Sequence, residues 1–71
     1  MEARELVRVQ AYMRKIFGAK TLSVRARPKV KDSAEVYVGE EFVGTVTRDD
    51  DEGELCYQFQ MAMLDEDLED V

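Results

Sequence analysis

Residues 33–47 read SAEVYVGEEFVGTVT, and this stretch decides the fold. Apolar and polar side chains alternate on both sides of Gly39, which is the period of a β-strand with one buried face. The pattern predicts a β-hairpin, with strands over residues 34–38 and 42–47 joined by a short turn.

The length of that turn determines which face of the sheet each side chain occupies. A two-residue turn at Gly39 and Glu40 would place Glu41 on the same face as Val38. A three-residue turn instead pairs Val38 with Phe42 and collects the larger apolar side chains on one face. We therefore expect the three-residue turn, and we expect Phe42 in the core, facing a helix.

The helix is predicted over residues 2–17, ahead of the hairpin. Its apolar side chains recur at spacings of three and four, which defines one buried stripe. Glutamates in the first turn and basic residues in the last turn complement the helix dipole. Gly18 follows where a left-handed C-terminal cap is expected. The stripe consists of Leu6, Val9, Met13, Ile16 and Phe17.

Two further strands are predicted from alternation, over residues 21–27, which Pro28 ends, and over residues 55–63. The whole pattern predicts one α+β domain, residues 1–64. In it an N-terminal helix packs on one face of a four-stranded antiparallel meander sheet (α-β-β-β-β), giving two layers. Residues 65–71 are expected to form a loosely held acidic C-terminal tail.

Charge is distributed unevenly along the chain, whose net charge is −6. Residues 1–31 contain nine Lys or Arg and two Glu, whereas residues 32–71 contain one Arg and fourteen Asp or Glu. An acidic chain is disfavoured as a general binder of nucleic acid or of membrane surfaces, and we expect the two halves largely to compensate each other. No apolar run is long enough to span a bilayer.

Composition also limits the chemistry. The chain has no histidine and one cysteine, which excludes a disulfide framework, a Cys/His zinc site and an imidazole mechanism. Catalysis by carboxylates alone needs a pocket that perturbs a carboxyl pKa, and a two-layer domain of this size offers little concavity. We therefore predict no enzyme activity, no catalytic residue, no cofactor and no small-molecule substrate.

The acidic turn, residues 49–54, invites a calcium interpretation. An EF-hand loop with its glycine at Gly53 would need an acidic residue at position 48 and a glutamate at position 59, and the sequence has neither. A looser cation site formed by Asp49, Asp51 and Glu52 stays open, although a solvated turn is the simpler interpretation and no metal site is predicted. Cys56 is expected on the less buried face as a small packing residue.

Several stretches resemble a known family when they are taken together. They are QAYMRKIFG (residues 10–18), ARPK (26–29), SAEVYVGEEF (33–42), DEGEL (51–55) and FQMA (59–62). The chain resembles a family of uncharacterised bacterial proteins of roughly seventy residues, found mainly in alphaproteobacteria and classed as a domain of unknown function. The resemblance implies a bacterial cytoplasmic protein, and it carries over no activity, cofactor or site.

The uncovered face of the sheet is where we expect function. Parity places Tyr37, Arg25, Arg27 and Val43 there, and exposed tyrosine and arginine are enriched at protein interfaces. We therefore predict a small non-enzymatic cytoplasmic protein-interaction module, either an accessory protein that binds another cytoplasmic protein or a homodimer. An ordinary solvent face, with Tyr37 shielding arginine stems, is the open alternative.

A second function remains open. The basic arm, residues 25–31, lies next to Tyr37 in the predicted sheet. Basic side chains with a stacking ring are what single-stranded RNA requires, so the alternative is a small RNA-binding accessory protein. Domains that bind RNA on the surface of a β-sheet usually present two or three aromatic rings. Strand parity places one ring on this face.

Overall fold

The N-terminal helix, α1, spans Ala3–Phe17 in the computed structural model, which describes residues 1–51, 53–69 and 71. Glu5 closes its first turn, because the Oε1 atom accepts a hydrogen bond of 3.1 Å from the main-chain N–H of Glu2. Gly18 ends the helix with φ 63°, in the left-handed conformation expected of a cap. The predicted helix and its cap are confirmed.

Four strands follow the helix and form one sheet in the order β1-β2-β3-β4. Each strand pairs antiparallel with the next along the chain, which confirms the predicted α+β meander. The strands are β1 (Leu22–Ala26), β2 (Ser33–Val38), β3 (Glu41–Asp49) and β4 (Cys56–Gln60).

The turn between β2 and β3 has two residues, Gly39 and Glu40, so that Val38 lies opposite Glu41. The prediction of a three-residue turn was wrong. Gly39 has φ 63° at the first central position of the turn, where a two-residue turn of type II′ requires glycine. The local preference of this glycine therefore prevails over the pairing of Val38 with Phe42.

A β-bulge immediately after the turn restores the apolar register. Tyr37 lies opposite Phe42 and Val36 lies opposite Gly44, so Val43 is the extra residue on β3. Beyond the bulge, β3 presents its apolar side chains to the helix again. The extra residue that we expected in the turn is thus inserted into β3, as Val43.

The bulge reverses two side chains relative to the prediction. Phe42 joins Tyr37 on the outer face of the sheet and is 51% exposed, so its assignment to the core was wrong. Val43 packs against the buried core instead of lying on the uncovered face, so its assignment was wrong as well. Because the inserted residue shifts the alternation by one position, these two neighbours exchange faces.

The core lies between α1 and the β1–β3 part of the sheet. Leu55 and Phe59 on β4 remain 48% and 37% exposed. Ile16 and Phe17, which we expected in the buried stripe of the helix, are 56% and 58% exposed, so that part of the prediction was wrong. The reason is that α1 packs mainly against β1 and covers only part of the inner side of β4, chiefly at Tyr57. The buried side chains are Met13, Leu22, Val24, Ala34, Val36 and Val46.

Pairing of β4 stops earlier than alternation predicts. The last pair joins Thr45 to Gln60, next to the bulge in β3, and the predicted continuation to residue 63 is not strand. One helical turn, α2, follows at Asp65–Leu68, and its side chains are exposed. Within the described part of the chain, we find no helix with the length and apolarity needed to cross a membrane.

Candidate functional site

An open groove of about 610 Å³ separates α1 from β4. The helix contributes one wall and the strand the other, and the offset of α1 toward β1 leaves both walls accessible. At one end Phe17 and Phe59 contact across the groove, with ring centroids 6.1 Å apart and ring planes tilted by 58°. We call this feature the apolar groove, and it is lined chiefly by Val9, Tyr12, Ile16, Phe17, Leu55 and Phe59.

The other end of the apolar groove is held by a polar cluster that joins three elements. The Tyr57 hydroxyl on β4 donates a hydrogen bond of 2.6 Å to Glu5 Oε2 on α1. Arg48 Nε on β3 lies 3.0 Å from the same oxygen, and Arg48 Nη1 lies 3.2 Å from Asp50 Oδ2. The cluster therefore fixes the distance between α1 and β4.

This arrangement shifts two pKa values in opposite directions. The hydrogen bond from Tyr57, followed by the bond from the Glu2 main chain and the nearby Arg48 charge, lowers the pKa of Glu5. The same hydrogen bond, with the negative charge of Glu5, raises the pKa of the Tyr57 hydroxyl. At neutral pH the pair is thus a carboxylate that accepts from a protonated phenol.

A second depression, of about 710 Å³, adjoins the polar cluster and shares Glu5, Arg8, Leu55 and Tyr57 with the apolar groove. Basic side chains outnumber acidic ones along its walls, so its potential favours negative charge. We call it the basic cleft. Its charged lining residues are the cations Arg4, Arg8, Arg27, Lys31 and Arg48 and the anions Glu2, Glu5 and Asp32. One continuous surface is therefore apolar at one end and basic at the other.

The outer face of the sheet carries a separate cluster. The Arg25 guanidinium lies 4.0 Å from the centroid of the Tyr37 ring, a cation–π contact, and Arg25 Nη2 lies 3.8 Å from Glu40 Oε1. Phe42 meets Tyr37 edge-on, with centroids 5.7 Å apart and planes at 72°. We call Arg25, Tyr37 and Phe42 the aromatic patch.

The four residues predicted from parity therefore occupy three places. Tyr37 and Arg25 are in contact on the outer face, whereas Val43 packs on the core. Arg27 lies beyond the end of β1, where it lines the basic cleft and its Nη1 donates to Ser33 Oγ at 3.4 Å. Phe42 was missed as an outer residue, and the signal that points to it is Gly39 at the first position of the turn.

The acidic turn shows local hydrogen bonds. Asp49 Oδ1 accepts from the Asp51 main-chain N–H at 3.1 Å, and Asp49 Oδ2 accepts from Gln58 Nε2 at 3.1 Å. Glu52, the third member of the candidate cation site, lies outside the described residues. The side chains described elsewhere in the chain form no group of three or more metal ligands. Cys56 is a free, exposed cysteine opposite Asp49.

Helix, open sheet and uncovered groove define a small two-layer α+β domain with an exposed apolar surface. The chain belongs to the family described as "Protein of unknown function (DUF3126)", which matches residues 5–67. This confirms the resemblance to an uncharacterised domain. No curated protein and no solved structure matches the chain at a significant level.

Proposed function

We propose that this protein is a non-enzymatic protein-interaction module that binds an acidic amphipathic segment of a protein along the apolar groove and the basic cleft. The observation that carries the proposal is the continuity of these two surfaces through Arg8, Leu55 and Tyr57. An apolar patch rimmed by charge is typical of a binding surface.

The shape of the groove suits a helix or a short extended segment. Its helical wall, α1, has 15 residues and is therefore about 22 Å long. The groove follows this wall from Phe17 to Glu5, about 18 Å, which a ligand helix of about three turns would span. Such helices bind grooves through apolar side chains at spacings of three, four and seven.

The charge of the basic cleft selects the sign of the partner. A matching segment fills the groove with its apolar stripe and places acidic side chains near Arg4, Arg8 and Lys31. Such a segment is complementary to both ends of the surface. A basic segment with the same stripe would be repelled at the cleft. Electrostatic complementarity of this kind affects specificity and association rate more than affinity.

We further propose that the protein acts in the cytoplasm of a bacterium. The family resemblance supports a bacterial source. The exposed thiol of Cys56 suits a reducing compartment, where a single cysteine stays free.

RNA binding is the second candidate, and Phe42 favours it. With Phe42 beside Tyr37, the outer face presents two aromatic rings where the sequence indicated one. Bases of single-stranded RNA stack on such rings. However, Arg25 already covers the Tyr37 ring, and Glu35 lies within 3.4 Å of the Tyr37 hydroxyl, so the charge of this patch is mixed.

Photocrosslinking from matched positions tests the two functions. One variant carries p-benzoylphenylalanine in place of Phe17 in the groove, and the other carries it in place of Phe42 on the outer face. The two phenylalanines are similarly exposed, at 58% and 51%. After irradiation in the native cells, we expect position 17 to yield adducts with a protein segment whose sequence is acidic and amphipathic.

Charge reversal provides the control for that experiment. Arg8→Glu should lower the adduct yield from position 17, because it removes a cation shared by the groove and the cleft. Lys20→Glu changes the charge equally at an exposed position and should leave the yield unchanged. Adducts formed only from position 42 would contradict the proposed site, and RNA adducts there would support the second candidate.

A further inference from the structure

We infer that the segment bound by the apolar groove is residues 61–71 of a second copy of this chain, so that two copies exchange these segments reciprocally. This inference rests on the proposed function and names its partner. We call residues 61–71 the tail segment.

The tail segment has the pattern that the groove requires. Met61, Leu64, Leu68 and Val71 follow one another at spacings of three, four and three, which is one face of a helix. These four side chains are 49% exposed or more in the single copy, so their apolar surface remains available to a partner. The single turn α2 is the part of that helix already formed without a partner.

Charge complementarity favours this segment as the occupant. The described part of the tail segment carries Asp65, Glu66, Asp67 and Glu69 and no basic side chain. The basic cleft carries more cations than anions along its walls. An acidic amphipathic helix in the groove therefore places its carboxylates near Arg4, Arg8 and Lys31, where opposite charges attract.

The direction of the backbone favours a second copy over the same copy. β4 leads toward the Phe17 end of the groove, because Phe59 on β4 contacts Phe17, whereas the basic cleft lies at the opposite end. To fill its own groove, the chain would have to reverse direction just after Gln60. The structure describes residues 61–64 in full and shows no turn there, and Leu64 is extended, with φ −79° and ψ 151°.

Reciprocal exchange between two copies gives a closed assembly. Each copy offers one groove and one tail segment, so a two-fold axis satisfies both grooves at once. The same surfaces used without closure would give open chains. The exchanged segments therefore produce a closed dimer.

The first experiment measures the oligomeric state of the full chain by analytical ultracentrifugation. We expect a dimer. The double variant Leu64→Asp with Leu68→Asp places charges in the apolar groove and should weaken dimerisation by about 100-fold or more. Met63→Asp is the matched control, because Met63 is exposed in the same segment but lies off the apolar stripe, and it should leave dimerisation unchanged.

The second experiment mixes two variants that are each impaired. Phe17→Asp places a charge in the groove and leaves the tail segment intact. The Leu64→Asp, Leu68→Asp variant places charges in the tail segment and leaves the groove intact. Exchange predicts a one-to-one heterodimer on mixing, because one intact segment then meets one intact groove. A mixture that stays monomeric would overturn the inference.

Crosslinking from position 17 separates failure of the inference from failure of the proposed function. Mixing ¹⁵N-labelled with unlabelled chains shows whether an adduct with residues 61–71 joins two copies, as expected, or forms within one copy, which would overturn the exchange. Adducts with an acidic segment of another protein would overturn the inference and leave the proposed function standing. Absence of any protein adduct from position 17 would overturn both.

Discussion

Replacing Gly44 by alanine tests the placement of β4, which forms one wall of the apolar groove. A Cβ atom at Gly44 would lie 2.4 Å from the carbonyl oxygen of Gln60 and 2.8 Å from Cε1 of Phe59. Ordinary contacts between such atoms are about 3.5 Å or longer, so β4 has to move by about 1 Å. The closest atom belongs to the backbone and cannot rotate away.

The expected cost follows from that geometry. Overpacking usually destabilises a protein by about 1 to 3 kcal/mol, and contact with backbone places Gly44→Ala at the upper end, about 2 to 3 kcal/mol. In a domain of this size that is a large part of the total free energy of unfolding. Urea unfolding followed by circular dichroism measures it as a lower midpoint at constant slope.

Two controls separate steric clash from the general cost of losing a glycine. Gly39→Ala has open space around the added Cβ but keeps φ 63°, so it should cost about 1 kcal/mol from backbone strain alone. Combining Gly44→Ala with Phe59→Leu should recover only a small part of the loss, because the Gln60 carbonyl remains. A loss below about 0.5 kcal/mol for Gly44→Ala would refute the pairing of Thr45 with Gln60 and with it the position of the groove wall.

Three further predictions concern the polar cluster and the bulge. The pKa of Glu5 is lowered from 4.5, so ionised Glu5 stabilises the folded state above pH 4.5. This stabilisation is lost as the pH falls through the folded-state pKa. Urea midpoints measured at descending pH should therefore fall less steeply in Glu5→Gln than in the wild type. The pKa of Tyr57 is raised from 10.0, so folding favours the protonated phenol and the free energy of unfolding falls as the pH rises above 10. Tyr57→Phe should be less stable than the wild type at neutral pH and should lose less stability in alkali. If the variant and the wild type lost the same stability in alkali, the hydrogen bond to Glu5 would be contradicted. Phe42→Ala should cost less than about 1.5 kcal/mol by thermal unfolding, since the ring is half-exposed, whereas a loss of about 3 kcal/mol or more would return Phe42 to the core.

Of the candidate surfaces, the aromatic patch was predictable in part, because it depends on strand parity. Tyr37 and Arg25 follow from alternation along β2 and β1, and the structure places the two side chains in contact. Arg48 has the parity of Val46 and so faces the helix, but its partners Glu5 and Tyr57 are 43 and 9 residues away in sequence. Periodicity carries no information on which distant side chains a strand residue meets.

The sequence by itself determined the helix, its glycine cap, the four strands and their order. These features depend on local periods and on short connections, which restrict consecutive strands to antiparallel neighbours. Tertiary structure decided the rest. The bulge at Val43 settles a conflict between the turn preferred by Gly39 and the apolar pairing of Ala34 with Val46, so it depends on residues in both strands. The offset of α1 toward β1 opens the apolar groove, and it depends on how side-chain volumes fit across the two layers. No single segment contains that information, because volume complementarity is a property of the packed chain.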